Sequence, residues 1–467
     1  MKKYFLFFPL FTFFSSIQAQ ISLWGMTEIG GANSMGVVFE FNVQSNTIAK
    51  KIDFAGSLNG QQPAASLAKA FNGKLYGTTQ LGGTNLIGEI FEYDNQTNTL
   101  VKKIDFNGTN GSRPSGSLLE VFKGKMFGMS YIGGSNNMGV LFEYNVGTNV
   151  HTVKHDFDGL LTGKNPKGSL LNTIGGRVFG LTYRGGVNDE GVLFEYDAVN
   201  DTIYNRYNFG GANGINPWGS LCEASNGKLY GMTELGGVNN EGVLFEFDPT
   251  TNSFAKKVDF DSASSGRYGI GSLISASNGK LYGCVSWGGV NDDGVLIEYT
   301  PGATSVTKKH DFDLLVSGSY PFGALIQATN GKLYGLTKNG GTTNDGVLFE
   351  YDYNTSVFTK KAEFNGANGS KPSYTQLLEL PTVIGIEESE ENKLIAVYPN
   401  PNAGLFAVEL KNSSLVIVSD VLGREVYSKQ HSLGKVFIDL HSQTNGMYLL
   451  RIISDGNLFE KKIVLAK

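Results

Sequence analysis

One glutamate recurs at an equivalent position seven times, as Glu40, Glu92, Glu143, Glu195, Glu246, Glu298 and Glu350. Carboxylates hydrolyse glycosidic bonds in pairs, one protonated and one ionised, and the two need unequal surroundings. Seven equivalent acids have equivalent surroundings. The group therefore reads as structural, bonded to backbone or to a neighbouring repeat. No residue is assigned a catalytic role.

Other candidate chemistry is equally repetitive. Gly-Gly-x-Asn stands in six of the seven repeats, as in Gly185-Gly-Val-Asn188 and Gly288-Gly-Val-Asn291. Acids follow in some copies, Asp292-Asp293 among them, and calcium favours such oxygen-rich loops. The acid content varies between copies, however, and a glycine doublet with Asn is also ordinary positive-φ turn chemistry. No GxxxxGK[ST] phosphate loop occurs, and no Gly-x-Ser-x-Gly elbow. His155 and His310 replace Ile52, Ile104 and Val258 of other repeats, three repeats apart, and no Cys/His spacing suggests zinc. No metal and no cofactor is expected. Cys222 and Cys284 stand where other repeats carry Leu119 and Met129, so both read as buried thiols.

Function more often resides where a repeat departs from its own rule. Tyr131, Tyr183, Arg184 and Trp287 occupy positions where other repeats have Glu28, Gln80 or Lys338. Trp218, Tyr268, Tyr320 and Phe322 occupy positions where others have Ala64 or Ser115. Gathered around one opening, such rings would stack on sugars or capture a peptide. Packed on neighbouring loops, they would be scaffold. The candidate ligand set is Tyr131, Tyr183, Arg184, Trp218, Trp287 and Tyr320.

These residues are positioned by a repeat. An aromatic-glycine step recurs at Trp24-Gly25, Tyr76-Gly77, Phe127-Gly128, Phe179-Gly180, Tyr230-Gly231, Tyr282-Gly283 and Tyr334-Gly335, spaced 51 or 52 residues apart. Each repeat holds four short β-type runs separated by turn signals such as Asn-Gly and Asp-Pro. A four-stranded unit of about 50 residues, repeated, is a propeller blade. The first repeat lacks its first strand, while a surplus copy, Pro372 to Leu380, follows the last. The surplus strand is expected to close a ring, with Gln376 to Leu380 beside Leu23 to Thr27. In such a ring the loops between strands 2 and 3 share one face with those linking strand 4 to the next strand 1.

The predicted fold is all-β. It is a seven-bladed propeller of four-stranded blades closed by the C-terminal strand, followed by a small antiparallel β-sandwich. Residues 1–19 read as a signal peptide: Lys2-Lys3, an apolar Tyr4 to Phe14, and a cut after Ala19. The propeller spans 20–381, an acidic linker 382–393, and the terminal module 394–467. Net charge is −5 with no basic stripe, which argues against nucleic acid. No other run is apolar enough to span a bilayer, so the mature chain is expected without a transmembrane segment, and as a monomer.

The terminal module resembles the type A sorting domain of the type IX secretion system of Bacteroidetes-type bacteria. Tyr398-Pro-Asn-Pro401, Gly404, Phe406, Val418 to Val426 with Gly423, Gly446 to Ile452 and Lys461 to Leu465 carry the resemblance. The sorting motif residues are Pro399, Asn400, Pro401, Gly404, Gly423 and Gly446. The resemblance implies export across both membranes, the secretion machinery as a partner, and a cargo released or attached at the cell surface. The repeats resemble the GloVer tandem repeat over residues 21 to 380, through Gly-Lys-Leu-Tyr-Gly, a Thr, Gly-Gly and Gly-Val-Leu-Phe-Glu-Tyr. That family implies no defined activity. The expected function is non-catalytic binding of a glycan or protein outside the cell. The alternatives are a polysaccharide-acting enzyme and a purely structural surface protein.

Overall fold

The computed structural model describes residues 21–63, 65–381, 397–398, 400, 402–420, 424–454 and 457–466. The signal peptide and linker expectations, and Pro399, Pro401 and Gly423, lie outside the described residues. The chain divides into two compact units, 1–382 and 383–467.

The first unit is built from antiparallel sheets, seven among the described residues. The fifth shows the plan: Cys222–Glu223, Leu229–Met232, Val243–Asp248 and Ser253–Asp259 pair in chain order. Hairpin after hairpin of this length needs only local pairing, and the Asn-Gly and Asp-Pro steps supply the reversals. The third sheet has a fifth strand, Ser112–Pro114, which pairs with the same neighbour as Leu119–Phe122. The third strand of each sheet is buried on both faces, as in Val243–Asp248. Alternating faces cannot both be apolar unless a neighbouring sheet covers each one.

The cores show which sheets do so. Trp24, Phe54, Leu75 and Phe91 join the first sheet to the second. Equivalent clusters join each further consecutive pair. A seventh cluster, with Leu23, Phe39, Tyr334 and Phe364, joins the last sheet to the first.

The aromatic-glycine step has a steric cause in this packing. A Cβ on Gly231 would stand 2.5 Å from Phe245 Cζ, so the glycine admits the ring of the adjacent strand. The Asn of each Gly-Gly-x-Asn loop is a tie. The Asn188 amide donates to the Phe209 carbonyl at 2.9 Å, Asn239 to Phe260 at 2.8 Å and Asn291 to Phe312 at 2.9 Å. Asn33, Asn85 and Asn136 make the same bond, and Thr343 replaces it in the seventh repeat. No group of three or more His, Cys, Asp or Glu is placed to hold a metal among the described residues.

The surplus strand completes the first sheet, but later than the sequence suggests. Leu378–Pro381 pairs with Ile21 to Trp24, antiparallel. The preceding residues are held sideways instead. Thr375 Oγ1 donates to the Ala65 carbonyl at 2.7 Å, and the Gln376 N–H donates to Ser66 Oγ at 2.7 Å. These bonds belong to a belt along the inner strands. Ser66, Ser117, Ser169 and Ser220 each donate a backbone N–H to the serine hydroxyl of the next repeat, at 2.8–2.9 Å.

The second unit holds a three-stranded and a four-stranded antiparallel sheet around one core with Phe406, Val418, Ile438 and Leu450. Its Asn-Pro-Asn motif works as a clip on the last strand, Asn457–Leu465. Asn400 donates to the Lys462 carbonyl at 2.7 Å and accepts from the Val464 N–H at 2.8 Å, while Asn402 Nδ2 donates to the Val464 carbonyl at 3.1 Å. Gly404 has φ +118°, and a Cβ there would meet His441 at 2.8 Å. Gly446, at φ +155°, opens the strand Gly446–Ser454.

Candidate functional site

The repeated glutamates are bonded within their own sheets, to side chains rather than to backbone. Each faces the aromatic residue of the aromatic-glycine step across the ladder, as Tyr230 faces Glu246. The Tyr230 hydroxyl donates to Glu246 at 2.6 Å, and Lys228 lies 2.8 Å away. Tyr282 and Lys280 serve Glu298 likewise, at 2.6 and 2.7 Å. Tyr76 donates to Glu92, Ser22 to Glu40, and Lys125 lies 3.2 Å from Glu143. Where the tyrosine is replaced by Phe179, Arg177 and Arg206 hold Glu195 instead, at 2.7 and 2.8 Å. A one-residue register shift in the outer strand brings in a second lysine, Lys309 at 3.3 Å from Glu298. Burial tends to raise the Glu298 pKa, but the Lys280 and Tyr282 bonds overcome it, and the carboxylate stays below its ordinary range. These are neutralised structural ions.

The unrepeated residues surround a cavity of about 770 Å³, and all seven repeats contribute to its lining. Its walls are the inner strands, with Leu119, Leu171, Cys222 and Ile274. At one mouth the loop before each inner strand pairs with the loop after the next strand of the same sheet, as Lys164 with Arg184 and Arg267 with Trp287. That is the shared face expected from the sequence.

The predicted rings fall into two groups there. Tyr183 meets Trp218 edge to face, 5.3 Å between centroids. Trp287 meets Tyr268 at 5.5 Å, Tyr320 at 5.4 Å and Phe322 at 5.2 Å. Tyr374 bridges the groups, stacked on Trp218 at 5.8 Å and on Phe322 at 5.4 Å. Tyr374 comes from the closing segment, so the bridge crosses the mouth. Trp218 and Trp287 are thus brought into one layer but not into contact. Arg184 is exposed, 5.7 Å from the Tyr183 ring. Tyr131, Tyr183, Trp218, Trp287 and Tyr320 are all half-buried, and much of that burial is against one another.

Lys167 escaped the sequence reading. Its ammonium lies 2.9 Å from the centroid of the Trp218 ring, 3.7 Å from Tyr183 and 5.5 Å from Tyr131. No hydrogen bond or salt bridge engages it among the described residues. Burial pulls its pKa down to about 7; Glu234 opposes that shift and Arg184 adds to it. Two acids stand at the mouth: Tyr183 donates to Glu234 at 2.8 Å, and Lys338 lies 3.6 Å from Glu28 Oε2, which has no hydrogen-bond partner. Burial also pushes the Tyr374 hydroxyl up to about 12, so it stays protonated. The layer can offer flat apolar faces, one cation and phenolic donors. Lys167 had no sequence signal beyond being a lysine where a repeat departs from its pattern; Tyr374 had only its place in the surplus strand.

The thiols are inert by position. Cys222 and Cys284 are free and buried, and burial raises both pKa values. His155 and His310 pack on Phe157 and Phe358, the latter stacked at 3.7 Å.

Four-stranded antiparallel sheets repeated around a common cavity define an all-β repeat protein of propeller-like fold. The chain belongs to the Gloeobacter/Verrucomicrobia repeat family, whose model matches residues 14–188 and 161–327. Residues 396–466 match the secretion system C-terminal sorting domain, so the protein is one exported to the cell surface or beyond, with the secretion machinery as a partner. No helix among the described residues is long and apolar enough to cross a membrane. No curated protein matches the chain. A solved structure of a putative 6-phosphogluconolactonase from Bacteroides uniformis is 15% identical with a TM-score of 0.54, covering 78% of this chain and 100% of that chain. Another from Bacteroides fragilis is 16% identical with a TM-score of 0.53, covering 78% and 99%. At such identities the likeness concerns the fold alone.

Proposed function

We propose that the protein is a seven-bladed β-propeller over residues 20–381, carried outside the cell by a C-terminal sandwich over 394–467, and that it binds a glycan or protein ligand without transforming it. A signal peptide at 1–19 and a linker at 382–393 complete the organisation. Seven inter-sheet cores, the last joining the final sheet to the first, support the ring. The binding reading rests on one observation: Tyr183, Trp218, Tyr374, Phe322 and Trp287 form a continuous layer of rings at one mouth of the cavity. Such a layer departs from the repeat, and rigid aromatics bury much area at little entropic cost on binding. A cavity of 770 Å³ falls within the range of small-ligand sites.

The rival enzymatic reading finds support only in the likeness to the two lactonase-like structures, and shared fold transfers no chemistry. The test is a glycan and peptide array probed with the purified protein, followed by Trp218→Ala and Trp287→Ala. Each substitution should weaken binding of the captured ligand by about 1–3 kcal/mol. Because both rings also pack on neighbours, each should lower the melting temperature modestly without unfolding the chain. Parent-like binding by both variants would move the site elsewhere.

A further inference from the structure

The Lys167 ammonium sits in the cavity wall with three aromatic rings around it and no acid bonded to it. Lys167 is half-buried, and a cation partly withdrawn from water ordinarily has a carboxylate or several acceptors around it to compensate. Cation–π contact replaces only part of that hydration. Neither nearby acid bonds to it: Glu234 accepts from the Tyr183 hydroxyl, and Glu28 stands 3.6 Å from Lys338. Glu223, also in the lining, accepts the Ile174 N–H at 2.7 Å. A second cation of the lining, Arg113, is exposed, and no salt bridge holds it among the described residues. The mouth therefore pairs apolar ring faces with unspent positive charge.

We propose that this mouth recognises an acidic sugar, a pyranose bearing a carboxylate, with the acid group against Lys167 and the ring on the Trp218–Tyr374 layer. The proposal rests on the binding reading above and narrows it. A pyranose offers a face of C–H groups to an indole or phenol ring, and its carboxylate offers the acceptor that the ammonium lacks. A cavity of 770 Å³ holds more than one such residue, so short acidic oligosaccharides suit it.

Protonation gives the site a signature. The charged or titratable groups facing Lys167 are Tyr131, Tyr183, Arg184 and Glu234. Burial and the bond to Glu234 keep the Tyr183 phenol protonated. Burial lowers the free lysine to about 7, so above that pH the unliganded amine is largely neutral. A bound carboxylate favours the ammonium and raises that pKa again. Binding should therefore take up a proton between pH 7 and 8.5, and affinity should fall as pH rises through that window.

The experiment is calorimetric titration of the full chain with oligogalacturonate and oligoglucuronate, and with their methyl esters as neutral controls. Binding enthalpy is followed across buffers of different ionisation enthalpy. The parent should prefer the acids about tenfold or more over the esters. It should also show proton uptake at pH 7.5. Lys167→Met should lose both the preference and the proton uptake while keeping its melting temperature, because it removes a poorly solvated charge at similar volume. Lys167→Arg should keep the preference and lose the proton uptake, since arginine stays charged. Equal binding of acids and esters, or a preference that survives in Lys167→Met, overturns the inference and leaves the aromatic site standing. A ligand found only among peptides, and sensitive to Trp218→Ala, does the same. Failure of every sugar and peptide to bind overturns both.

Discussion

The outer glutamates and the cavity mouth are made from the same repeats by opposite rules. At the outer network each copy solves one problem in nearly one way: an acid held by a hydroxyl, a lysine or an arginine of its own sheet. At the mouth the equivalent positions carry Glu28, Gln80, Tyr131, Tyr183, Glu234, Trp287 and Lys338. Packing is alike for every sheet, so its solutions repeat. A ligand breaks the symmetry of its site, so residues that meet it need not repeat. The difference separates scaffold from candidate site without any alignment of relatives.

The largest test concerns whether the scaffold is one closed object. Truncation before Pro372 removes Leu378–Pro381 from the first sheet, the Thr375 and Gln376 bonds to the second, and the buried Leu377 and Leu380. It exposes a sheet edge and opens a core face. Truncation before Val383 removes only the second compact unit. Thermal denaturation should show the first variant melting far below the parent, or not folding, and the second melting near it. Similar melting temperatures for both would mean that the sheets stand without closure.

The next test uses a departure that lies away from the aromatic layer. Glu89 is fully buried where the other six repeats have Val37, Val140, Val192, Val243, Val295 and Val347. Neither of its carboxyl oxygens has a hydrogen-bond partner, and burial pushes its pKa up to about 8. Between its unfolded pKa, about 4.3, and that value, the folded chain holds a proton that the unfolded chain has lost. Stability should therefore fall with rising pH across that window, by up to about 1.4 kcal/mol per pH unit from this group. Glu89→Val should flatten the slope and raise stability at pH 8 by about 2–4 kcal/mol. If the variant is no more stable, burial of this acid is compensated. If it is more stable but loses binding of the array ligand, Glu89 belongs with the mouth and not with the scaffold.

How far each region was legible follows from the range of its contacts. The outer network was visible as a seven-fold glutamate because its partners lie in the same hairpin, Tyr230 across from Glu246. Their identity was misjudged: backbone or a neighbouring repeat was expected, and the tyrosine hydroxyl of the same sheet is there, because register sets the two side by side on one face. The mouth was legible only as a set of exceptions. Trp218 and Trp287 could be picked out as large residues at small-residue positions. Tyr374 could not, because only closure brings it from the last segment to a tryptophan of the fifth sheet. Lys167 could not, because its character comes from Trp218, contributed by the next repeat. The pairing of Leu378–Pro381 was shifted from the expected Gln376 to Leu380 for a similar reason: Gln376 is used by Ser66, far away in sequence.

A smaller effect separates steric need from habit in the repeat. Gly231→Ala would set a methyl group 2.5 Å from Phe245 Cζ, in a core where the ring is fully buried. The ring must tilt into its neighbours, at a cost of about 1–3 kcal/mol. Denaturant titration of the variant measures it. An unchanged midpoint would mean that the glycine at this step is tolerated variation and not a packing requirement. Gly73, by contrast, has open space around its Cβ position, but its φ of +82° still disfavours a side chain.

The smallest effect tests the place where scaffold and cavity meet. The serine belt runs from Ser66 through Ser117, Ser169, Ser220 and Ser272, each N–H donating to the next hydroxyl. It breaks at Ala324, which stands where the Ser272 N–H would find an oxygen and which lines the cavity. Past the gap the belt resumes, with Gln376 donating to Ser66. Two explanations compete. If the gap is drift within the scaffold, Ala324→Ser restores one hydrogen bond on the half-buried segment before the inner strand and should add about 0.5–1.5 kcal/mol of stability, with ligand binding unchanged. If the gap is part of the site, the small apolar residue leaves room in the cavity wall, and an added hydroxyl should change affinity while stability still rises. Chemical denaturation and ligand titration of the same variant read the two quantities separately. A variant that gains no stability at all would show that the belt's bonds are incidental to the ring, since here the partner N–H and the strand geometry are already in place.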